Sequence, residues 1–300
     1  MFSIYILTYN EEIDIAACIE SAAVTDDVIV VDSFSKDRTV EIASSYPVRV
    51  VQHKFESHGK QRTWMLKNIP TKYEWVYILE ADERMTPELF KECLAAIKSQ
   101  QAIGYYVAER VMFMGKWIRH STQYPRYQMR LFEKTKVWFD DYGHTEREVC
   151  LGNTGFLIET YPHYTSGKGL SRWLDKHNRY STDEAAETIQ QLNQGKVNWQ
   201  QLFFGKSEIE RRRALKDLSL RLPFRPLIRW IYMYFILGGI WDGKAGFAWC
   251  TLQAFYEYLI VLKVEEMQAS FSPQVEANHQ QNVDIKNETI VDSLLPSSVS

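Results

Sequence analysis

The chain has 300 residues, 45% hydrophobic and 14% aromatic, enough for one large domain or a domain with a smaller appendage and a real core. A formal charge of -3 gives no electrostatic case for a chain that wraps nucleic acid. The four cysteines, 18, 93, 150 and 250, lie far apart without a CxxC pair, which suits reduced cytosolic thiols better than a disulfide or zinc framework. The N-terminus, MFSIYILTYNEE, has neither a basic n-region nor a cleavage site, so no signal peptide is expected.

In chain order, FSIYILTY reads as a first strand. Asn10 then caps a helix whose Ile15, Ile19, Ala22 and Ala23 fall at helical spacing. DDVIVVD and VRVVQ read as strands, with RTVEIASSY a short helix between them. QRTWMLKNI is helical, EWVYIL is a fourth strand, and Thr86-Pro87-Glu88 opens the next helix with a capping hydroxyl, a first-turn proline and an acid. Short strand-helix cycles imply a parallel α/β sheet covered on both faces, with ligands beyond the carboxyl ends of its strands. After Lys98 come β-rich pieces, GYYVAERVMF, YQMRLFEK and KVWFDD, followed by a charged loop through residue 148. From about Gly169 the chain turns helical, and a polar tail from about residue 268 is expected to be disordered. This divides the chain into 1–168, 169–267 and 268–300.

The fourth strand ends in Glu80, Asp82 and Glu83, three carboxylates within four residues. Since the following helix has its own cap at Thr86, Asp82 is not needed there. Clustered acids at the mouth of a buried sheet repel one another unless a cation sits among them, and hard oxygen ligands suit Mg²⁺ or Mn²⁺. Asp32 ends another strand at the same edge.

YILTYNEE, VIVVDSFSKDRT, GKQRTW and YILEADE, in this order, resemble the nucleotide-sugar half of an inverting family 2 glycosyltransferase with the GT-A fold. RLFEK, GHTERE, HYTSGKGL and WLDKHNRYSTDEA resemble bacterial members that extend lipopolysaccharide cores or surface polysaccharides, some of them β-1,4-glucosyltransferases. The resemblance implies that Thr8, Tyr9, Asn10 and Glu11 line the base and ribose, and that Asp32 bonds the nucleobase. It also implies that Lys60 and Arg62 face the nucleotide. Glu80 and Asp82 stand where the family has its Asp-any-Asp metal motif, Asp82 touching the ion; Glu80, grouped with the nucleotide-sugar-binding residues, departs from the usual Asp by one methylene, which leaves open whether it reaches the ribose, the ion through water, or neither. His163 matches a histidine on the diphosphate or metal. Lys168, Arg172 and Arg179 fit either a lid over the pyrophosphate or an exposed helix face.

An inverting displacement needs a base on the acceptor side. The stretch FDDYGHTERE offers Glu148, then Glu146, then Asp141, in that order of preference, with His144 one residue from the nearest Glu. The donor implied is a UDP-sugar, and the acceptor a glycan or a lipid-linked acceptor. Phe203 to Trp230 carries eight Lys/Arg against three Asp/Glu, and the charge-free run Trp230 to Trp241 is twelve residues. Together with Ala245 to Tyr256 beyond the break DGK, these segments fit either packing helices or a cytoplasmic enzyme held on the inner-membrane surface, each run being too short to span. A dinucleotide oxidoreductase is excluded at the first turn, which lacks G-x-G-x-x-G. A sugar nucleotidyltransferase fits poorly, because TYNEE replaces a Gly-rich loop. The nearest rivals are a polyprenyl-phosphate sugar synthase and a donor-binding protein without turnover.

Overall fold

The structure, a computed structural model, describes residues 1–142, 145–165, 167, 169–193 and 218–270. The chain divides into two units, one of Met1–Leu170 with Met233–Trp249, the other of Ser171–Tyr232 with the chain from Cys250 onward. The helical region expected as one block after 168 is thus shared between the two, and residues 271–300 of the expected tail lie outside the described residues.

The first unit is an α/β sheet of the expected kind. In chain order its elements are β1 (Ser3–Thr8), α1 (Ile15–Ala22), β2 (Val28–Asp32), α2 (Thr39–Ser44), β3 (Arg49–Gln52), α3 (His58–Asn68), β4 (Trp75–Glu80) and α4 (Pro87–Ser99). Then follow β5 (Gly104–Phe113), β6 (Lys116–Trp117), β7 (Tyr127–Glu133), β8 (Val137–Tyr142), β9 (Thr145–Cys150) and β10 (Thr154–His163). The sheet order is β10-β5-β7-β4-β1-β2-β3, with β6 on β5. Only β7 opposes its neighbours on that path; the other pairings are parallel. The first strands read as unbroken apolar runs because both faces are covered. Ile4 and Ile6 pack into a core with α1 and α4, while Tyr5 on the opposite face packs with α3 and β8.

Local signals explain most boundaries. Thr86 accepts from Leu89 N at 3.2 Å with Pro87 in the first turn, as its sequence implies. Asn10, by contrast, does not cap α1; Asp14 occupies that position. Asn10 sits at φ 52, and its Oδ1 accepts from Lys36 N at 2.7 Å. Asn tolerates the left-handed region, so the residue is used to bend the loop. The charged loop expected before residue 148 is instead the second strand of a hairpin, with β8 and β9 paired from Val137↔Cys150 to Tyr142↔Thr145.

In the second unit, α5 (Gly169–Asn193, beginning at the end of the first unit) and the later turns of α7 (Gly243–Ser270) supply a small core of Trp173, Ala185, Tyr256, Ile260 and Val264, to which α6 (Arg225–Ile231) adds no buried residue. Arg225 and Arg229 both bind Glu257, Arg229 Nη1 donating at 2.6 Å, so two of the basic residues read as membrane-facing are engaged within the protein. Lys206, Arg211, Arg212, Arg213 and Lys216 lie outside the described residues. The break DGK lies inside one helical stretch: Gly239–Ala269 is, by length and composition alone, apolar enough to cross a membrane, which corrects the expectation of two short runs.

Candidate active site

Three strand ends stand level at the carboxyl edge, because Thr8 pairs with Asp32 and Leu7 with Glu80. The loops after β1 and β2 are clasped across this edge: Asn10 N donates to Ser35 Oγ at 2.8 Å and Glu11 N to Thr39 Oγ1 at 2.7 Å. Tyr9 projects half-exposed beside them. Asp32 is fully buried, and its carboxylate accepts from Ser35 N at 3.0 Å, from Gln52 Nε2 at 2.9 Å and from the Ser35 hydroxyl. In this structure that carboxylate shapes the turn that would face a base. Lys60 does not join the edge, for its ammonium lies on the surface against Glu56 Oε2 at 3.1 Å.

The chain beyond β4 turns back against the end of β10. Arg84 N donates to Pro162 O at 3.1 Å and Tyr164 N to Asp82 O at 2.8 Å, which brings residues 81 positions apart together. His163 Nε2 then lies 3.3 Å from Asp82 Oδ2, and its Nδ1 lies 2.8 Å from Glu109 Oε2. Burial opposes a charge on His163, but the bonds to Asp82 and Glu109 prevail and push it well above the ordinary histidine value. Glu80, Asp82 and His163 each offer one ligand atom within 4.8 Å of the others. Two carboxylates and an imidazole, each half-buried, fit a small divalent cation.

Arginines hold this acidic group together. Arg130, fully buried on β7, donates to Glu83 Oε1 at 2.5 Å and lies 3.4 Å from Glu80 Oε1. Glu83 Oε2 accepts from Glu80 N at 2.9 Å, so the third carboxylate braces the turn from inside. Burial pushes Glu83 up to about 7 against the pull of Arg130. Burial also opposes ionisation of Glu80, yet Arg130 and Arg62 overcome it and hold that carboxyl at about 2. Arg130 and Glu109 were missed by sequence reasoning; the available signal was a lone arginine inside the apolar strand YQMRLFE.

Arg62, 4% exposed, connects the edge to the hairpin. Its Nη2 donates to Glu80 Oε1 at 3.0 Å and its Nη1 to Glu146 Oε1 at 2.6 Å. Glu146 Oε2 is buried with no hydrogen-bond partner among the described residues. Burial pushes this carboxyl above the ordinary range, Arg62 opposing. The other two candidate bases, on the same hairpin, are engaged differently. Glu148 Oε1 accepts from the Tyr106 hydroxyl at 2.5 Å. Asp141 Oδ1 accepts from Ser57 Oγ at 2.6 Å, over the start of α3, where a Cβ on Gly59 would come within 2.7 Å of it. His144 and Lys168 lie outside the described residues, and Arg172 and Arg179 lie on an exposed face of α5 in the second unit.

A family model described as Glycosyl transferase family 2 matches residues 3–156. The lipopolysaccharide core biosynthesis glycosyltransferase LpsC of Rhizobium meliloti is 28% identical over 282 residues, 89% of this chain and 93% of the relative. An uncharacterized glycosyltransferase of Rickettsia bellii is 25% identical over 284 residues, 90% of this chain and 88% of the relative. The crystal structure of S. aureus TarS 1-349 in complex with UDP-GlcNAc gives a TM-score of 0.44 at 15% identity, covering 86% of this chain and 91% of that one. The span matched by the family model is just over half of the 300 residues and contains Thr8, Asp32, Arg62, Glu80, Asp82 and Glu146. The chain belongs to glycosyl transferase family 2.

Proposed function

We propose that the protein is an inverting, metal-dependent glycosyltransferase moving a sugar from a nucleoside diphosphate, UDP being the first to test, to a glycan or a lipid-linked acceptor. The reading that this serves lipopolysaccharide or surface-polysaccharide assembly is supported by the relative LpsC. Glu80, Asp82 and His163 would hold Mg²⁺ or Mn²⁺, a cation that neutralises charge developing on the departing diphosphate. Thr8, Tyr9, Asn10, Glu11 and Asp32 surround the nucleotide end of the same edge.

The observation that carries the reading is Glu146. One oxygen is held by Arg62, itself bonded to Glu80, and the other is buried without a partner among the described residues. A carboxylate oriented by one oxygen and unpartnered at the other is suited to accept the proton of an acceptor hydroxyl. As the hydroxyl oxygen bonds to the anomeric carbon, the bond from that carbon to phosphate breaks, and the diphosphate leaves with its electron pair. Geometry favours Glu146 over Glu148 and Asp141 for this role. Exposed Phe235, Ile236, Ile240 and Trp241, near the start of the apolar helix, support a place on the cytosolic face of a membrane. The test is a panel of nucleotide sugars with Mn²⁺ or Mg²⁺, assayed for binding and for metal-dependent release of nucleoside diphosphate. Binding without release by any sugar would leave a donor-binding protein and overturn the enzymatic reading.

A further inference from the structure

Beside the hairpin, β10, β5 and β7 present three aromatic rings, with Phe156 of β10 in contact with the other two. Phe156, 62% exposed, stacks on Tyr106 with centroids 5.3 Å apart at 25°. It meets Tyr127, 40% exposed, edge-on at 4.9 Å. Tyr106 turns its hydroxyl to Glu148 Oε1 at 2.5 Å. Burial and that bond push the phenol up, so it stays protonated and donating. No step described above uses these rings, and large apolar side chains grouped at a surface mark contact with something.

We infer that Tyr106, Tyr127 and Phe156 form an aromatic floor, rimmed by Glu148, that binds a pyranose ring of the acceptor next to the one being glycosylated. The inference rests on the glycosyl-transfer reading and names the acceptor's side of it. Flat rings match the C–H faces of a pyranose, and a carboxylate beside a phenol suits its ring hydroxyls. The floor is also continuous with the chemistry. Glu148 follows Glu146 by two residues on one strand and so lies about 7 Å away on the same face, roughly one sugar further along. A second copy adding a strand to β10 is disfavoured where the edge is already occupied, since Glu92 accepts from Ile158 N at 2.9 Å and Glu159 N at 2.7 Å.

The test uses the full chain with UDP and Mn²⁺ on an array of immobilised oligosaccharides built from hexoses, heptoses and N-acetylhexosamines, with calorimetry of UDP alongside. The wild type binds a subset of the array. Phe156→Ala and Tyr127→Ala weaken that binding roughly tenfold or more with UDP affinity unchanged. Phe156→Leu, which keeps apolar area but not a flat ring, loses it as well, while Ile158→Ala on the same edge does not. Absence of wild-type array binding, or retention by Phe156→Leu, overturns the assignment. Sedimentation that shows a dimer dissociated by Phe156→Ala assigns the rings to a second copy and also overturns it. Failure of the wild type to bind UDP is a different result, which removes the proposed function itself.

Discussion

Replacing Glu146 with Gln keeps the shape of the side chain and removes its ability to take a proton. The Arg62 and Glu146 side chains are 5% and 18% exposed and 2.6 Å apart. In Glu146→Gln the amide oxygen still accepts from Arg62, so a charge-assisted bond worth about 1.5–3 kcal/mol becomes a weaker one worth about 0.5–1.5 kcal/mol. Stability should fall by only about 1–2 kcal/mol, visible as a modest shift of the denaturant midpoint. Transfer should fall far more, by about 10²- to 10⁴-fold in kcat, with donor KM nearly unchanged. The assay is steady-state release of nucleoside diphosphate, with Glu148→Gln and Asp141→Asn in parallel. Wild-type turnover in Glu146→Gln, with loss in Glu148→Gln, would refute the argument from the Arg62 bond and the unpartnered oxygen.

The pH profile of kcat should show an acid limb above the ordinary glutamate range. Burial raises the Glu146 pKa, the base must be ionised, and activity is therefore lost as pH falls through that raised value. Arg130→Met should destabilise the protein by about 3–5 kcal/mol in urea titration, because it strands Glu83 in full burial; an unchanged midpoint would show that the Glu83–Arg130 pair does not brace the edge. Flotation with anionic liposomes should exceed that with neutral ones and weaken in high salt, at about 1 kcal/mol per Lys/Arg near the surface. Ile236→Ser with Trp241→Ser should reduce it further, and a chain that stays at the bottom with both lipids has ordinary packing helices there.

What sequence reading reached depended on whether the signal was local. Strands β1, β2 and β4 are visible because each is an apolar run covered on both faces, while β3, at the sheet edge, is marked only by two valines between polar ends; the Thr86-Pro87 start is a complete capping signal. β9 escaped because TEREVC has almost no apolar period; it is a strand by virtue of its pairing with β8. Asn10 and Asp14 are both good caps, and only the φ of 52 at Asn10 separates them. Lys60 and Arg62 lie on one helix, yet α3 turns the first to solvent and the second into the carboxylates. The roles of Arg130, Glu109 and the orphan oxygen of Glu146 depend on distant strands meeting, so no spacing along the chain could announce them.

The central claim is that Asp82, with Glu80 and His163, anchors the cation on which donor binding depends. Calorimetry of UDP with the wild type and Asp82→Asn, each with and without Mn²⁺, addresses it directly. The Asp82 side chain is 25% exposed at the sheet edge, so the substitution should leave the fold intact. Mn²⁺ should strengthen UDP binding in the wild type, and this gain should fall by about tenfold or more in Asp82→Asn. An equal Mn²⁺-dependent affinity in both proteins would contradict the claim.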